Sequence, residues 1–178
     1  YGFRWPVWQG ASRPLLGGLE PAAHVLGPSG MRTRGRQLDP GQCDLPPEGA
    51  LAALHAWVTE GPETSKEILA LGPLTNIALL LEVVPDLTKR IGRIVWMGGS
   101  AGAGNHTRTA EFNAYVDGFA LDRVGASGLR LDIVELMFCR RVTVGAEDMP
   151  DTDPLTADLL GGYLDIALKR GRPGMAIY

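Results

Sequence analysis

Two short apolar runs, each stopped by a glycine turn and separated by one helix-length stretch, constrain this chain more than any other feature. Ile68-Leu69-Ala70-Leu71 ends at Gly72-Pro73, and Arg93-Ile94-Val95-Trp96-Met97 ends at Gly98-Gly99. Short apolar runs bounded by turn formers read as buried strands. Between them Thr75-Asn76 offers a helix cap, Ile77 to Glu82 reads as a helix, and a short helix from Leu87 to Arg90 follows Pro85. Strand, helix, strand at this spacing predicts a right-handed parallel crossover, with both glycine turns at the carboxyl ends of neighbouring strands. In open α/β sheets that edge is where ligands bind.

The rest of the chain fits the same class. Twenty-four glycines and thirteen prolines among 178 residues demand many short elements joined by tight turns. From Pro47 to Thr59, Leu51, Leu54, Trp57 and Val58 recur at helical spacing, with Glu48 in the first turn and Gly61-Pro62 at the end. Leu131 to Leu136 reads as a further strand, and Asp153 as N-cap with Pro154 in the first turn opens a helix reaching Leu168. Gly27 to Pro47 lacks apolar periodicity and reads as a long loop over a surface or the mouth of a cleft. The expected fold is α/β, an open and mostly parallel sheet with flanking helices.

Composition narrows the partners. With 45% hydrophobic and 21% charged residues the chain can build a globular core rather than remain disordered. Seventeen basic against twenty acidic residues leave a net charge of −3, which disfavours polyanions and anionic membrane surfaces. No aromatic and basic platform for nucleic acid is present. No apolar run is long enough to span a bilayer, and Tyr1-Gly2-Phe3-Arg4-Trp5-Pro6 lacks the organisation of a signal peptide. Cys43 and Cys139 form neither a CxxC nor a zinc spacing, so a reduced, cytoplasmic protein is expected. A start without methionine and an apolar end at Met175-Ala176-Ile177 read as an internal piece of something longer.

The chemistry concentrates after Gly98-Gly99, where Asn105, Glu111 and Asn113 bring one carboxylate and two carboxamides. Such a set of donors and acceptors suits a polyhydroxylated ligand such as a sugar. In an extended segment Glu111 and Asn113 share one face while Phe112 points to the other and anchors the loop in the core. A local reading stands beside this one: Glu111 caps a turn, Asn113 binds backbone, and Gly104-Asn105 is a turn dipeptide. His106 either approaches a ligand or faces solvent, and the His55 position is a surface one. No histidine pair has metal-helix spacing, and no Ser, His and Asp set stands out. Asp151-Thr152-Asp153-Pro154 suits helix capping better than cation binding. Arg32, Arg34 and Arg36 form either a phosphate clamp or a solvated loop.

Four linked motifs now stand in order: Leu71-Gly72-Pro73-Leu74-Thr75-Asn76-Ile77-Ala78, Ile94 to Gly99, Gly104-Asn105-His106-Thr107, and Ala110-Glu111-Phe112-Asn113 with Asp117. In order and spacing they resemble the inosine/uridine-preferring nucleoside hydrolases. The likeness runs more weakly through Val7 to Leu16, His24 to Gly30 and on to the end of the chain. It implies a Rossmann-like sheet, with residues 1–178 as the central part of a single domain. It also implies hydrolysis of the N-glycosidic bond of ribonucleosides to ribose and free base, with a calcium ion holding the attacking water and ribose hydroxyls.

By the same resemblance Asn105, Glu111 and Asn113 would bind ribose hydroxyls, Met97 would line the sugar pocket, and the main-chain carbonyl of Leu71 would ligate calcium. No catalytic residue is carried over. Main-chain carbonyls are ordinary calcium ligands, so the apolar side chain of Leu71 is no obstacle. The family's Asp-x-Asp-Pro-Gly-x-Asp-Asp motif and its late His-Asp segment have no counterpart here. Asp151 to Pro154 mimics half of the former too far downstream, and Tyr178 stands in the place of the histidine. Leu26 stands where many members carry another histidine, and Gly118 replaces a common proline. The expectation is therefore a cytoplasmic ribonucleoside hydrolase of nucleoside catabolism and purine salvage, a homodimer or homotetramer, inactive as this chain alone. The alternative is a non-catalytic relative that binds ribose or a nucleoside.

Overall fold

The computed structural model describes residues 4–27, 33–36, 45–60, 66–84 and 86–176. In chain order its elements are α1 (Ala23–Leu26), α2 (Ala50–Thr59), β1 (Lys66–Ala70), α3 (Thr75–Val83), α4 (Leu87–Arg90), β2 (Ile91–Met97), α5 (Phe112–Val116), α6 (Gly118–Ala126), β3 (Leu131–Val134), α7 (Leu136–Cys139), β4 (Thr143–Val144), α8 (Pro154–Lys169) and β5 (Met175–Ala176). They fall into two compact units, Tyr1–Leu19 with Cys43–Leu136, and Glu20–Gln42 with Met137–Tyr178.

The first unit is built on the expected parallel sheet, ordered β1-β2-β3. Strand β2 is central and pairs in parallel on both sides, with Ala70 and Ile133 in register with Trp96. Its core joins Val58 of α2, Ile77 and Leu80 of α3, Leu87 of α4, Ile94 and Trp96 of β2, and Ala120 and Val124 of α6. Spacings of three and four residues put Ile77 with Leu80 and Ala120 with Val124 on single helix faces, which is why these stretches bury as helices.

Three sequence expectations are corrected. The run Ile68 to Leu71 was expected to be buried, yet Leu69 and Leu71 are 67% and 69% exposed, while Ile68 and Ala70 pack on the core. Among the described residues β1 is the end strand of its sheet and packs one face on the core, so its side chains alternate. Thr75-Asn76 does not cap α3, whose N-cap is Leu74 without a side-chain bond. Those two side chains turn to other segments instead, the Thr75 hydroxyl donating to Asp117 and Asn76 Oδ1 accepting from Ala11 N. The strand expected through Leu136 stops at Val134, because Leu136 opens α7 with its N–H bonded to the Gly99 carbonyl.

In the second unit α8 matches its expected start. The Asp153 carboxylate accepts from Leu155 N and Thr156 N, each at 3.0 Å, and from the Thr156 hydroxyl at 2.6 Å, with Pro154 in the first turn. The helix packs Leu164 and Ala167 on Met175 of the antiparallel β4-β5 pair. Most of the long Gly27 to Pro47 loop, including Arg32, lies outside the described residues. Arg34 forms a salt bridge to Asp165 at 2.9 Å and lies across Gly161, where a Cβ would come within 2.6 Å of its Nε. Its guanidinium is thus occupied by a carboxylate.

Bonds from the Thr156 hydroxyl and amide hold the Asp153 carboxyl below its ordinary value of 3.8. A carboxyl depressed by folding contributes stability that is complete above its unfolded value and is lost as pH falls through the folded one. Asp153→Ala is therefore expected to lower the thermal midpoint at neutral pH, and the gap from wild type should close as pH drops below about 3.8. Melting curves of both proteins between pH 7 and pH 2 check this.

Candidate functional site

The carboxyl ends of β1 and β2 and the start of α5 meet in one place. Beyond β2 the chain passes Gly98, Gly99 at φ 72°, and a tight loop in which the Ala110 carbonyl accepts from the amides of Asn105, His106 and Thr107. A Cβ at Gly104 would sit 2.2 Å from the Ala110 oxygen, so backbone occupies the space a side chain would need. The Thr107 hydroxyl accepts from Ala110 N at 2.9 Å and secures the return to α5.

Glu111, 2% exposed, is the N-cap of α5. One carboxylate oxygen accepts from Asn113 N at 2.9 Å, and the other from Gly99 N at 2.9 Å and Ala114 N at 3.0 Å. The side chain therefore fastens the end of β2 to the start of the helix, where orphan amides favour an anion. This corrects the extended reading of residues 111 to 113. The cap turns the chain helical at Phe112, so Glu111 and Asn113 do not share a strand face. Phe112 is only half-buried, meeting the His106 ring edge-on at 5.6 Å. His106 also lies against the Tyr115 ring at 4.4 Å and is half-buried.

The two carboxamides are held from one end each. Asn105 Oδ1 accepts from Phe112 N at 2.8 Å, and Asn113 Nδ2 donates to the Met97 carbonyl at 3.0 Å, the Leu71 carbonyl at 3.4 Å and Met97 Sδ at 3.5 Å. All five residues singled out from sequence, Leu71, Met97, Asn105, Glu111 and Asn113, are thereby gathered around the first turn of α5. The local reading of their polar groups holds in full as geometry. Asn105 Nδ2 and Asn113 Oδ1 carry no hydrogen bond to a described residue, which leaves one donor and one acceptor for hydroxyl groups.

A cavity of about 420 Å³ lies alongside the end of β1, with Arg13, Leu54, Ile68, Leu71, Asn76 and Val116 among its walls. Of the expected site residues Leu71 alone lines it. The other four cluster at the α5 start, and we place the candidate site on that cluster because its polar groups converge there. Among the described residues no group of three or more His, Cys, Asp or Glu side chains comes together to hold a metal ion. One main-chain carbonyl falls short of the six to eight oxygens calcium takes, so the described residues by themselves do not fit that ion.

One organising residue had no role assigned from sequence. Asp117, 1% exposed, accepts from Leu15 N at 2.8 Å, the Thr75 hydroxyl at 2.7 Å and Ala120 N at 3.0 Å. It caps α6 and ties it to two segments distant in sequence, at Leu15 and Thr75. Its legible signal was local, an aspartate directly before the helix that opens at Gly118.

Glu111→Gln replaces a carboxylate oxygen by an N–H donor facing a backbone donor. Leaving buried amides unpaired costs about 1–3 kcal/mol, and urea denaturation of both proteins measures it. The midpoint is expected to fall with the slope unchanged.

Comparison with known proteins places the chain in a family. The family model described as inosine-uridine preferring nucleoside hydrolase matches residues 2–172. A non-specific ribonucleoside hydrolase RihC from Salmonella schwarzengrund is 44% identical over 169 residues, which is 95% of this chain and 54% of that protein. The chain thus spans about half the length of that curated relative. Among solved structures, a purine-preferring ribonucleoside hydrolase from Gardnerella vaginalis superposes with a TM-score of 0.83 at 21% identity, over 96% of this chain and 58% of its own. A plant nucleoside hydrolase, PpNRh1, superposes with a TM-score of 0.81 at 26% identity, over 96% and 56%. The parallel sheet, the four motifs in order and the match along nearly the whole chain lead to one conclusion: the chain belongs to the inosine-uridine preferring nucleoside hydrolase family.

Proposed function

We propose that this chain carries the ribose-holding part of a ribonucleoside hydrolase that splits the N-glycosidic bond to ribose and free base. The observation that supports the reading is the convergence of Asn105, Glu111 and Asn113 on the first turn of α5, with Asn105 Nδ2 and Asn113 Oδ1 left for a ligand. As the glycosidic bond lengthens, the sugar ring gains oxocarbenium character. An oriented acceptor such as Asn113 Oδ1 beside its hydroxyls favours that state over the neutral ground state. Rigid placement matters more than number, and the cap by Glu111 and the Met97 and Leu71 carbonyls together supply it.

Calcium enters this reading through the family resemblance alone. The Leu71 carbonyl would be one ligand, and no step is assigned to the ion here because the described residues do not complete a site. The same reading has the 178-residue chain turn over no nucleoside by itself and has the whole protein act in the cytoplasm as a homodimer or homotetramer.

The test is ribose binding and ribose release from inosine and uridine with calcium present. It uses this chain and the chain with any flanking sequence its gene encodes. The proposal expects binding by the short chain and release only by the longer one. Release by the short chain would overturn the calcium argument, and binding without release by either would favour a nucleoside-binding relative. Asn113→Ala should weaken ribose binding by about tenfold, the order of one lost hydrogen bond, with a thermal midpoint near that of wild type. A collapse of the midpoint instead would assign Asn113 to structure.

A further inference from the structure

We propose that Trp96 is a positioning residue whose indole N–H, by holding the Gly72 carbonyl, sets the direction of the Leu71 carbonyl and through it the carboxamide of Asn113. The inference rests on the reading of Asn113 as a sugar contact.

Strand β1 ends at Ala70, whose register partner is Trp96. Leu71 and Gly72 have therefore left the ladder and need another anchor. Leu71 is largely exposed, so side-chain packing does not supply one. Pro73 has no N–H to offer. Trp96, 1% exposed, supplies it with an Nε1 to Gly72 carbonyl bond of 2.9 Å.

The indole is itself held in place. A Cβ at Gly98 would fall 2.0 Å from Cζ2 and 2.2 Å from Cε2, so the ring occupies the side-chain space of that glycine. One residue thus ties the end of β1 to the end of β2. The next carbonyl back from Gly72 is that of Leu71, the longer of the two carbonyl contacts of Asn113 Nδ2. If the Gly72 peptide turned, Leu71 would turn with it, Asn113 would keep only its Met97 partners, and its free oxygen would lose a fixed direction.

Trp96→Phe keeps an aromatic ring and removes the N–H. Nitrogen-15 NMR of the side-chain amide of Asn113 reads the geometry without ligand, and ribose titration reads the consequence. The expected result is a changed Asn113 amide resonance and about tenfold weaker ribose binding, again the order of one hydrogen bond. In an Asn113→Ala background the same substitution should leave ribose affinity unchanged, because a positioning effect has nothing left to act through. A merely structural role would weaken binding equally in both backgrounds, which would overturn the proposal, as would an unmoved Asn113 amide.

Should Trp96→Phe fail to fold, hydrogen exchange at the indoles of the unaltered chain decides. Trp96 Nε1–H is expected to exchange far more slowly than that of the exposed Trp5 and Trp57, and equal rates overturn the proposal. If the unaltered chain binds no ribose while Trp96→Phe still moves the Asn113 amide, the ribose reading fails and the positioning by Trp96 stands.

Discussion

The first unit depends on buried carboxylates that satisfy backbone amides. Glu111 answers three N–H groups, two in the first turn of α5 and one at the end of β2. Asp117 answers Ala120 N at the start of α6, Leu15 N far away in sequence, and the Thr75 hydroxyl in α3. An unpaired amide in such surroundings is expensive, and a single carboxylate can accept several at once. The consequence is mechanical: two side chains clamp three helices and a strand end into one arrangement. The candidate site lies on the first of those clamps.

A second constraint is space. Gly98 and Gly104 are required at positions where neighbouring atoms leave no room for a side chain, the Trp96 ring in one case and the Ala110 carbonyl in the other. The glycine-rich stretch after β2 is therefore held tightly at these two points. Its amides converge on one carbonyl, and its polar side chains are each anchored from one end. In this arrangement the same residues serve as structure and keep a polar end uncommitted. Asn105 and Asn113 each commit one end of the carboxamide to the backbone and present the other.

What could be read in advance followed from how local each signal is. The start of α8 was legible because an N-cap aspartate and a first-turn proline act within three residues of each other. The parallel pair was legible because apolar runs ending in glycine leave few topologies. The start of α3 was misread because Thr75 and Asn76 look like caps locally, while distant partners at Asp117 and Ala11 claim their side chains. The extended reading of Glu111 to Asn113 failed for a similar reason. Period-two spacing was compatible with a strand, and only the Gly99 amide arriving from β2, together with the cap, makes the turn helical.

The sequence by itself determined the α/β class, the parallel crossover and the family. All of these are carried by short-range patterns and by motif order along the chain. Only the tertiary structure decided that, among the described residues, β1 ends the sheet with Leu69 and Leu71 exposed, that Glu111 and Asp117 also take the remote amides of Gly99 and Leu15, and that Trp96 bridges two strand ends. Those outcomes depend on which backbone groups from remote segments arrive unsatisfied, and no local pattern encodes that.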